Sequence, residues 1–133
     1  KLIEQKTDLS ISEIFKRKGE DFFREIEEKT TVKYLKSSNN IIALGGGAFL
    51  NNNIRAALKT NSISIWLNWS SKFLIPRISK NKTRPKASEL SKNELVELIN
   101  ERSKIYSMAD YEINCDKLNK SEIVKKILKI YEN

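Results

Sequence analysis

The chain has 133 residues, of which 39% are hydrophobic and 32% are charged, and its formal net charge is +8. This composition is typical of one soluble globular domain and not of a disordered chain. The sequence has no His, which excludes His-based catalytic triads and His metal sites, and no apolar run approaches the roughly 18 residues of a membrane span. Because the lysines are scattered, the charge fits a small anionic substrate, and we expect no nucleic-acid partner and no membrane partner.

Two helices are predicted in the first third of the chain. Ser10 and Glu13 form a capping-box pattern for a short helix that should end at Gly19. A second helix should run from Glu20 to about Lys36. Its predicted apolar side consists of Phe22, Phe23, Ile26, Val32 and Leu35.

An apolar run, Ile41–Leu44, leads directly into three glycines, Gly45–Gly47. The run predicts a short strand that is buried on both faces. Glycines lack a Cβ atom, so backbone N–H groups at the end of this strand could approach a ligand closely. In open α/β sheets, ligands bind beyond the carboxyl ends of the strands. The alternative is a tight turn without a ligand, and a helix pattern follows at residues 53–58.

The rest of the chain alternates predicted strands with predicted helices. In chain order these are a strand at 63–67, a short helix at 71–78, a polar loop at 79–86, a long helix at 91–108, a strand at 111–115 and a final helix that begins at residue 121. Pro76 should end or kink the short helix. Strands that alternate with helices indicate βαβ units and a mainly parallel sheet.

Four arginines are candidates for binding an anionic substrate. Arg24 and Glu27 lie on one helix face, so the carboxylate could orient a guanidinium that grips a substrate carboxylate, although a surface ion pair is the alternative. The polar loop region carries Arg77 and Arg84, and it could be a lid over phosphates or simply a solvated loop. Arg102 lies in the long helix without an obvious partner.

Two features of the sequence predict the cellular compartment of the protein and the position of the chain within a longer protein. The single Cys115 cannot form an internal disulfide, which predicts a reducing compartment, the cytoplasm. The first residue is Lys1 and not Met, so we expect the chain to begin inside a longer protein.

Short motifs follow one another in a recognisable order along nearly the whole chain. They are Ile3-Glu4, Ser10-Ile11 with Ile14-Phe15, Gly19-Glu20, Phe23-Arg24 with Glu27, Leu44 to Ala48, Arg77, Arg84-Pro85, Arg102 with Tyr106, and Ala109-Asp110. In this order and spacing they resemble the shikimate kinase family. The resemblance implies an α/β fold, a P-loop kinase-like three-layer sandwich with a parallel sheet.

The resemblance also implies an activity. Shikimate kinases are phosphotransferases that move the γ-phosphoryl group of ATP, with Mg²⁺, to the 3-hydroxyl of shikimate during chorismate and aromatic amino-acid biosynthesis. We expect shikimate and ATP as partners and a monomer when the protein is complete. Residues 1–133 would form one domain, with substrate-binding helices at about 1–36, a core at about 40–76, a lid at about 77–90 and a C-terminal core at 91–133.

Individual roles follow from the motif positions. The substrate-binding residues implied by the resemblance are Arg24 and Arg102 for the carboxylate, Gly45, Gly46 and Gly47 for the ring hydroxyls, and Phe15 and Phe23 for the ring pocket. Glu27 would orient Arg24. Arg84 would contact the phosphates of ATP and stabilise charge on the transferring group, while Arg77 would pack near the adenine.

Part of the family pattern does not occur in these residues. The family begins with a strand, a G-x-x-G-x-G-K-[ST] phosphate loop with its helix, and a second strand that ends in Asp-x-Asp, and the 133 residues contain neither motif. The Mg²⁺ ligand is therefore also absent from the sequence. We expect the chain alone to be inactive and its parent to be the kinase. The alternatives are a gluconate kinase-like enzyme and a catalytically dead kinase-like binding module.

Overall fold

The computed structural model describes residues 1–81, 87 and 89–133. The described helices are α1 (Leu2–Thr7), α2 (Ile11–Lys18), α3 (Glu20–Leu35), α4 (Asn52–Asn61), α5 (Ser71–Ser79), α6 (Lys92–Tyr106) and α7 (Lys120–Glu132), with a 3₁₀ turn at Ala48–Leu50. The described strands are β1 (Ile65–Asn68) and β2 (Tyr111–Asn114). These elements form two compact units, the first from residues 1–62 and the second from the described residues after position 62.

Helix α2 begins and ends where the sequence predicts. The Ser10 hydroxyl accepts a hydrogen bond from the Glu13 backbone N–H, and the Glu13 carboxylate accepts one from the Ser10 backbone N–H. Gly19 then adopts a φ of 86°, a conformation that favours glycine, and its N–H caps the end of α2. Helix α3 starts directly afterwards, so both predicted helices are confirmed. The sequence pattern did not indicate α1, which contains no buried residue.

The core of the first unit lies between α3, the 3₁₀ turn and α4. Its buried members are Leu35, Ala48, Ile54 and Leu58, and the partly buried Ile42, Leu44, Phe49 and Ala57 pack against them. Burial of these side chains supplies most of the driving force for packing the two helices together. The packing also brings the glycine segment close to α3.

The predicted strand at Ile41–Leu44 is wrong. The segment belongs to no helix or strand, Ile41 is fully exposed, and Ile42 and Leu44 are only half-buried. A strand needs a neighbour for its backbone hydrogen bonds, and no strand in the described part of the chain pairs with this segment. The segment is therefore held in place by contacts of Ile42 and Leu44 with the core of the first unit, and not by pairing in a sheet.

The second unit is built around two parallel strands. β1 and β2 are in register from Ile65 opposite Tyr111 to Asn68 opposite Asn114. A side-chain contact supports each end, because the Asp110 carboxylate accepts hydrogen bonds from the Ser64 N–H and hydroxyl, and the Asp116 carboxylate accepts one from the Ser70 N–H. Both predicted strands are confirmed with small shifts in their ends.

Two apolar clusters support the helices of this unit. Ile113, Cys115 and Ile123 pack β2 against α7, and burial raises the pKa of the Cys115 thiol. Ile78, Ala87 and Leu95 pack α5 against α6. Pro76 lies inside α5 and does not end it. No described helix is long and apolar enough to span a lipid bilayer.

Candidate functional site

Arg24 lies on α3 between two carboxylates of the same helix. Its Nη1 donates to Glu27 Oε1 at 2.7 Å, and its Nε lies 3.5 Å from Glu20 Oε1. The Glu27 side chain is 9% exposed, whereas that of Arg24 is 30% exposed. Neighbours at three and four residues along a helix meet on one face, so the helix itself orients the guanidinium. Nη2 makes no hydrogen bond within the described part of the chain.

The glycine segment packs directly on this guanidinium. A Cβ atom at Gly47 would lie 2.5 Å from Nη2 and 2.7 Å from Cζ of Arg24, which is closer than real Cβ atoms approach. A Cβ atom at Gly45 would lie 3.6 Å from Glu27 Oε2, an ordinary contact. The φ of Gly47 is −91°, which any residue can adopt. Glycine is therefore needed at position 47 because it lacks a side chain, and not because the backbone adopts an unusual conformation.

The ring of Phe23 borders the same arginine and packs on the ring of Phe15. The ring centroids of Phe15 and Phe23 are 4.9 Å apart with an interplanar angle of 45°. Cζ of Arg24 lies 5.2 Å from the centre of the Phe23 ring, within range of a cation–π interaction. The first unit thus brings together six of the predicted site residues: Phe15, Phe23, Arg24, Glu27, Gly45 and Gly47. Such a site offers a fixed cation beside apolar ring faces, which suits a small cyclic carboxylic acid.

A further carboxylate on α3, that of Glu28, was not anticipated from the sequence. Its Oε2 accepts a hydrogen bond from Asn51 Nδ2 at 2.7 Å, and its Oε1 accepts one from Asn53 Nδ2 at 3.1 Å. The bond from Asn51, followed by that from Asn53, lowers the pKa of Glu28. Asn51 could have been recognised as a helix cap, but its pairing with a residue 23 positions away has no sequence signal.

The remaining predicted arginines belong to other parts of the chain. Arg102 lies on α6 of the second unit, and its Nε is buried with no hydrogen-bond partner among the described residues. Arg77 lies on α5, with its Cζ 5.4 Å from the centre of the Trp69 ring. Gly46 is exposed. Arg84 lies outside the described residues, with the rest of 82–86 and residue 88 of the predicted lid.

A metal site in the described residues would consist of side chains that could bind one ion together. Within residues 1–81, 87 and 89–133, no group of three or more Cys, Asp or Glu side chains is placed to hold a metal ion. Mg²⁺ prefers carboxylate oxygens together with substrate phosphates. This part of the chain therefore does not fit a metal site, and we assign it no metal ligand.

Solved structures with the same fold identify the class of protein. The shikimate kinase of Acinetobacter baumannii, in complex with shikimate, matches with a TM-score of 0.88 and 27% identity, over 97% of this chain and 73% of that chain. The shikimate kinase of Aquifex aeolicus matches with a TM-score of 0.84 and 29% identity, over 98% and 76%. The fold is that of the P-loop kinases, which confirms the predicted α/β class.

Sequence comparison then narrows the class. The family described as shikimate kinase matches residues 1–132, and the chain therefore belongs to the shikimate kinase family. The shikimate kinase of Bartonella henselae is 35% identical over 128 residues, which cover 96% of this chain and 61% of the relative. That of Caldanaerobacter subterraneus is 33% identical over 132 residues, which cover 98% and 77%. The chain thus spans about three fifths of the Bartonella henselae relative.

Proposed function

We propose that the chain carries the substrate-binding part of a kinase that phosphorylates the 3-hydroxyl of shikimate with ATP. The observation that carries this proposal is the fixed guanidinium of Arg24, seated against Gly47 and beside the ring of Phe23. Family membership supports the reaction, a phosphotransfer in chorismate and aromatic amino-acid biosynthesis. The proposal places the complete protein in the cytoplasm as a monomer.

Arg24 binds the shikimate carboxylate in this proposal. Because Glu27 engages Nη1 and Glu20 lies near Nε, Nη2 is the nitrogen of the guanidinium that can donate to a ligand without a change of rotamer. Charge-assisted hydrogen bonds of this kind are roughly twice as strong as neutral ones. The proposal also assigns carboxylate binding to Arg102, and the buried Nε without a described partner supports a role as a donor to ligand.

The rings and the glycines complete the substrate contacts. Phe15 and Phe23 offer apolar surface to the face of the cyclohexene ring. The backbone at Gly45, Gly46 and Gly47 meets the ring hydroxyls, since a backbone without Cβ atoms admits close approach.

Nucleotide binding is assigned to the arginines near the predicted lid. Arg77 packs near the adenine, and Arg84 neutralises charge on the phosphates during transfer. Phosphoryl transfer depends mainly on positioning and charge neutralisation, so a cation beside the phosphates suits the step. Mg²⁺ accompanies ATP in the proposal, and no step is assigned to it here.

The identity of the molecule that accepts the phosphoryl group is tested with a protein that contains all parts of a P-loop kinase. The chain is joined to the segment of the Caldanaerobacter subterraneus relative that carries its phosphate loop, and ADP release is followed with shikimate or gluconate as acceptor. We expect ADP release that depends on shikimate and none with gluconate. Turnover with gluconate would favour the related kinase, and shikimate binding without turnover would favour a binding module.

Gly47→Ala should weaken shikimate binding by roughly 10- to 100-fold, about as much as removal of the Arg24 side chain, while the protein still folds. The new methyl group collides with the end of a flexible side chain, so Arg24 swings away and loses its ion pair with Glu27. Displacing a side chain costs less than displacing backbone, so the variant should still fold, but the loss of the ion pair to the buried Glu27 should lower its melting temperature. Calorimetric titration of the joined protein with shikimate measures the loss of binding.

Gly45→Ala is the matched control for this change. Its methyl group would make an ordinary contact with Glu27 Oε2 at 3.6 Å and would leave Arg24 in place, so we expect a smaller loss of shikimate affinity than in Gly47→Ala. Equal affinity of both alanine variants would contradict the role given to Gly47.

A further inference from the structure

We propose that Glu28 is a positioning residue, which holds the segment from Gly45 to Asn51 in place against Arg24 and so sets the affinity for the acid substrate. The inference rests on the proposed function for its substrate and deepens it by adding a residue that does not touch the ligand. It is carried by the hydrogen bonds of Glu28 to Asn51 and Asn53.

Hydrogen bonds fix the orientation of the Asn51 side chain. Its Oδ1 accepts hydrogen bonds from the backbone N–H groups of Asn53 at 2.8 Å and Ile54 at 3.1 Å, which caps α4. Its Nδ2 must then point away from the helix, and there it donates to Glu28. The amide has no other orientation that satisfies both ends, so Asn51 joins α4 rigidly to α3.

A series of backbone turns runs from Asn51 back to the glycines. The N–H of Asn51 donates to the carbonyl of Ala48 at 3.1 Å, and the N–H of Ala48 donates to the carbonyl of Gly45 at 3.0 Å. The N–H of Leu50 donates to the carbonyl of Gly47 at 3.2 Å. These consecutive turns leave little freedom between Asn51 and the glycines.

The glycine end of the segment also contacts α3. Gly47 rests on the guanidinium of Arg24, which projects from α3 one turn before Glu28. The segment is therefore attached to one helix at two points, by packing at Arg24 and by hydrogen bonds at Glu28. Without the bonds at Glu28, the glycine backbone would be held by packing alone, on Arg24 and through Leu44 and Ala48 in the core of the first unit.

A carboxylate is required at position 28 because both of its oxygens are acceptors in use. Gln would offer one oxygen and would turn its NH₂ group toward the NH₂ group of either Asn51 or Asn53, where donor meets donor. The lowered pKa of Glu28, caused first by Asn51, is consistent with a carboxylate that these bonds stabilise in its charged form.

Glu28→Gln tests the inference, and Glu25→Gln is its matched control on the same helix. Glu25 pairs only with Lys29 among the described residues, and its side chain is 63% exposed. Amide exchange at Ala48 and Asn51 is measured by NMR in the free 133-residue chain. We expect exchange about three- to tenfold faster in Glu28→Gln, the range for one or two lost hydrogen bonds, and no change in Glu25→Gln.

Steady-state kinetics of the joined protein provide the second measurement. We expect Glu28→Gln to raise the KM for shikimate about three- to tenfold with kcat and the KM for ATP unchanged. Asn51→Ser, which keeps an oxygen for the helix cap and removes the donor to Glu28, should reproduce both effects and serves if Glu28→Gln does not fold.

Two results would overturn the inference. Unchanged exchange at Ala48 and Asn51 in both variants would show that Glu28 does not hold the segment. Faster exchange with an unchanged KM for shikimate would show that the segment does not set substrate affinity. A protein that fails to phosphorylate shikimate in any form would refute the proposed function instead, and the exchange measurement separates the two cases.

Discussion

The 133-residue chain alone is expected to release no ADP when it is mixed with shikimate, ATP and Mg²⁺. Its sequence contains no G-x-x-G-x-G-K-[ST] phosphate loop and no Asp-x-Asp motif. Phosphoryl transfer depends almost entirely on groups that position the phosphates and neutralise their charge, so losing several of them should lower turnover more than about a thousandfold. A coupled assay for ADP measures the rate.

The control is the joined protein that carries a phosphate loop, which should restore shikimate-dependent ADP release. A separate control measures ATP hydrolysis without shikimate, so that contaminating ATPases are subtracted. Clear shikimate-dependent release by the chain alone would mean that some of its own residues replace the phosphate loop.

Arg24→Ala is expected to raise the KM for shikimate by roughly 10- to 100-fold, which corresponds to the loss of one charge-assisted hydrogen-bonding partner. The variant also removes the partner of the buried Glu27 carboxylate, which adds a stability cost of its own. Arg24→Lys should bind shikimate poorly as well, because an ammonium group cannot hold Glu27 and a ligand in one planar fork. The KM for ATP should remain unchanged in both variants, and kinetics of the joined protein measure all of these values.

Arg102→Ala should show the same loss of shikimate affinity. The matched control is Arg17→Ala, which removes an arginine that is 62% exposed and paired with Glu13 on the surface of α2. That variant should leave both KM values unchanged, since exposed ion pairs contribute little. Unchanged shikimate affinity in Arg24→Ala and Arg102→Ala together would remove these arginines from the site.

Local signals predicted most of the helices. Capping boxes act within four residues, so Ser10 with Glu13 marked the start of α2 without reference to the rest of the fold. The spacing of Arg24 and Glu27 likewise predicted an ion pair that the structure contains. Glu20 obeys the same spacing rule on the other side of Arg24, and its contact could have been found in the same way.

Contacts between residues that are far apart in the sequence could not be predicted from local sequence patterns. The strand at Ile41–Leu44 was predicted from its apolar run, but strand formation depends on a neighbour that a run of residues does not reveal. The bonds of Glu28 to Asn51 and Asn53 join residues 23 and 25 positions apart, and they follow only from the packing of α3 on α4. The roles assigned to individual site residues and the single-domain division stay predictions.

The exposed segment before the glycines has a consequence for the behaviour of the chain in solution. Residues 41–44 carry no charge, and the fully exposed Ile41 lies beside backbone groups that no described strand pairs. Short uncharged apolar stretches with free backbone groups are templates for intermolecular pairing. Two copies that meet at this segment can satisfy each other's amides, so association should rise steeply with protein concentration. The same net charge of +8 that attracts an anionic substrate then provides the repulsion that keeps the copies apart, and added salt weakens that repulsion.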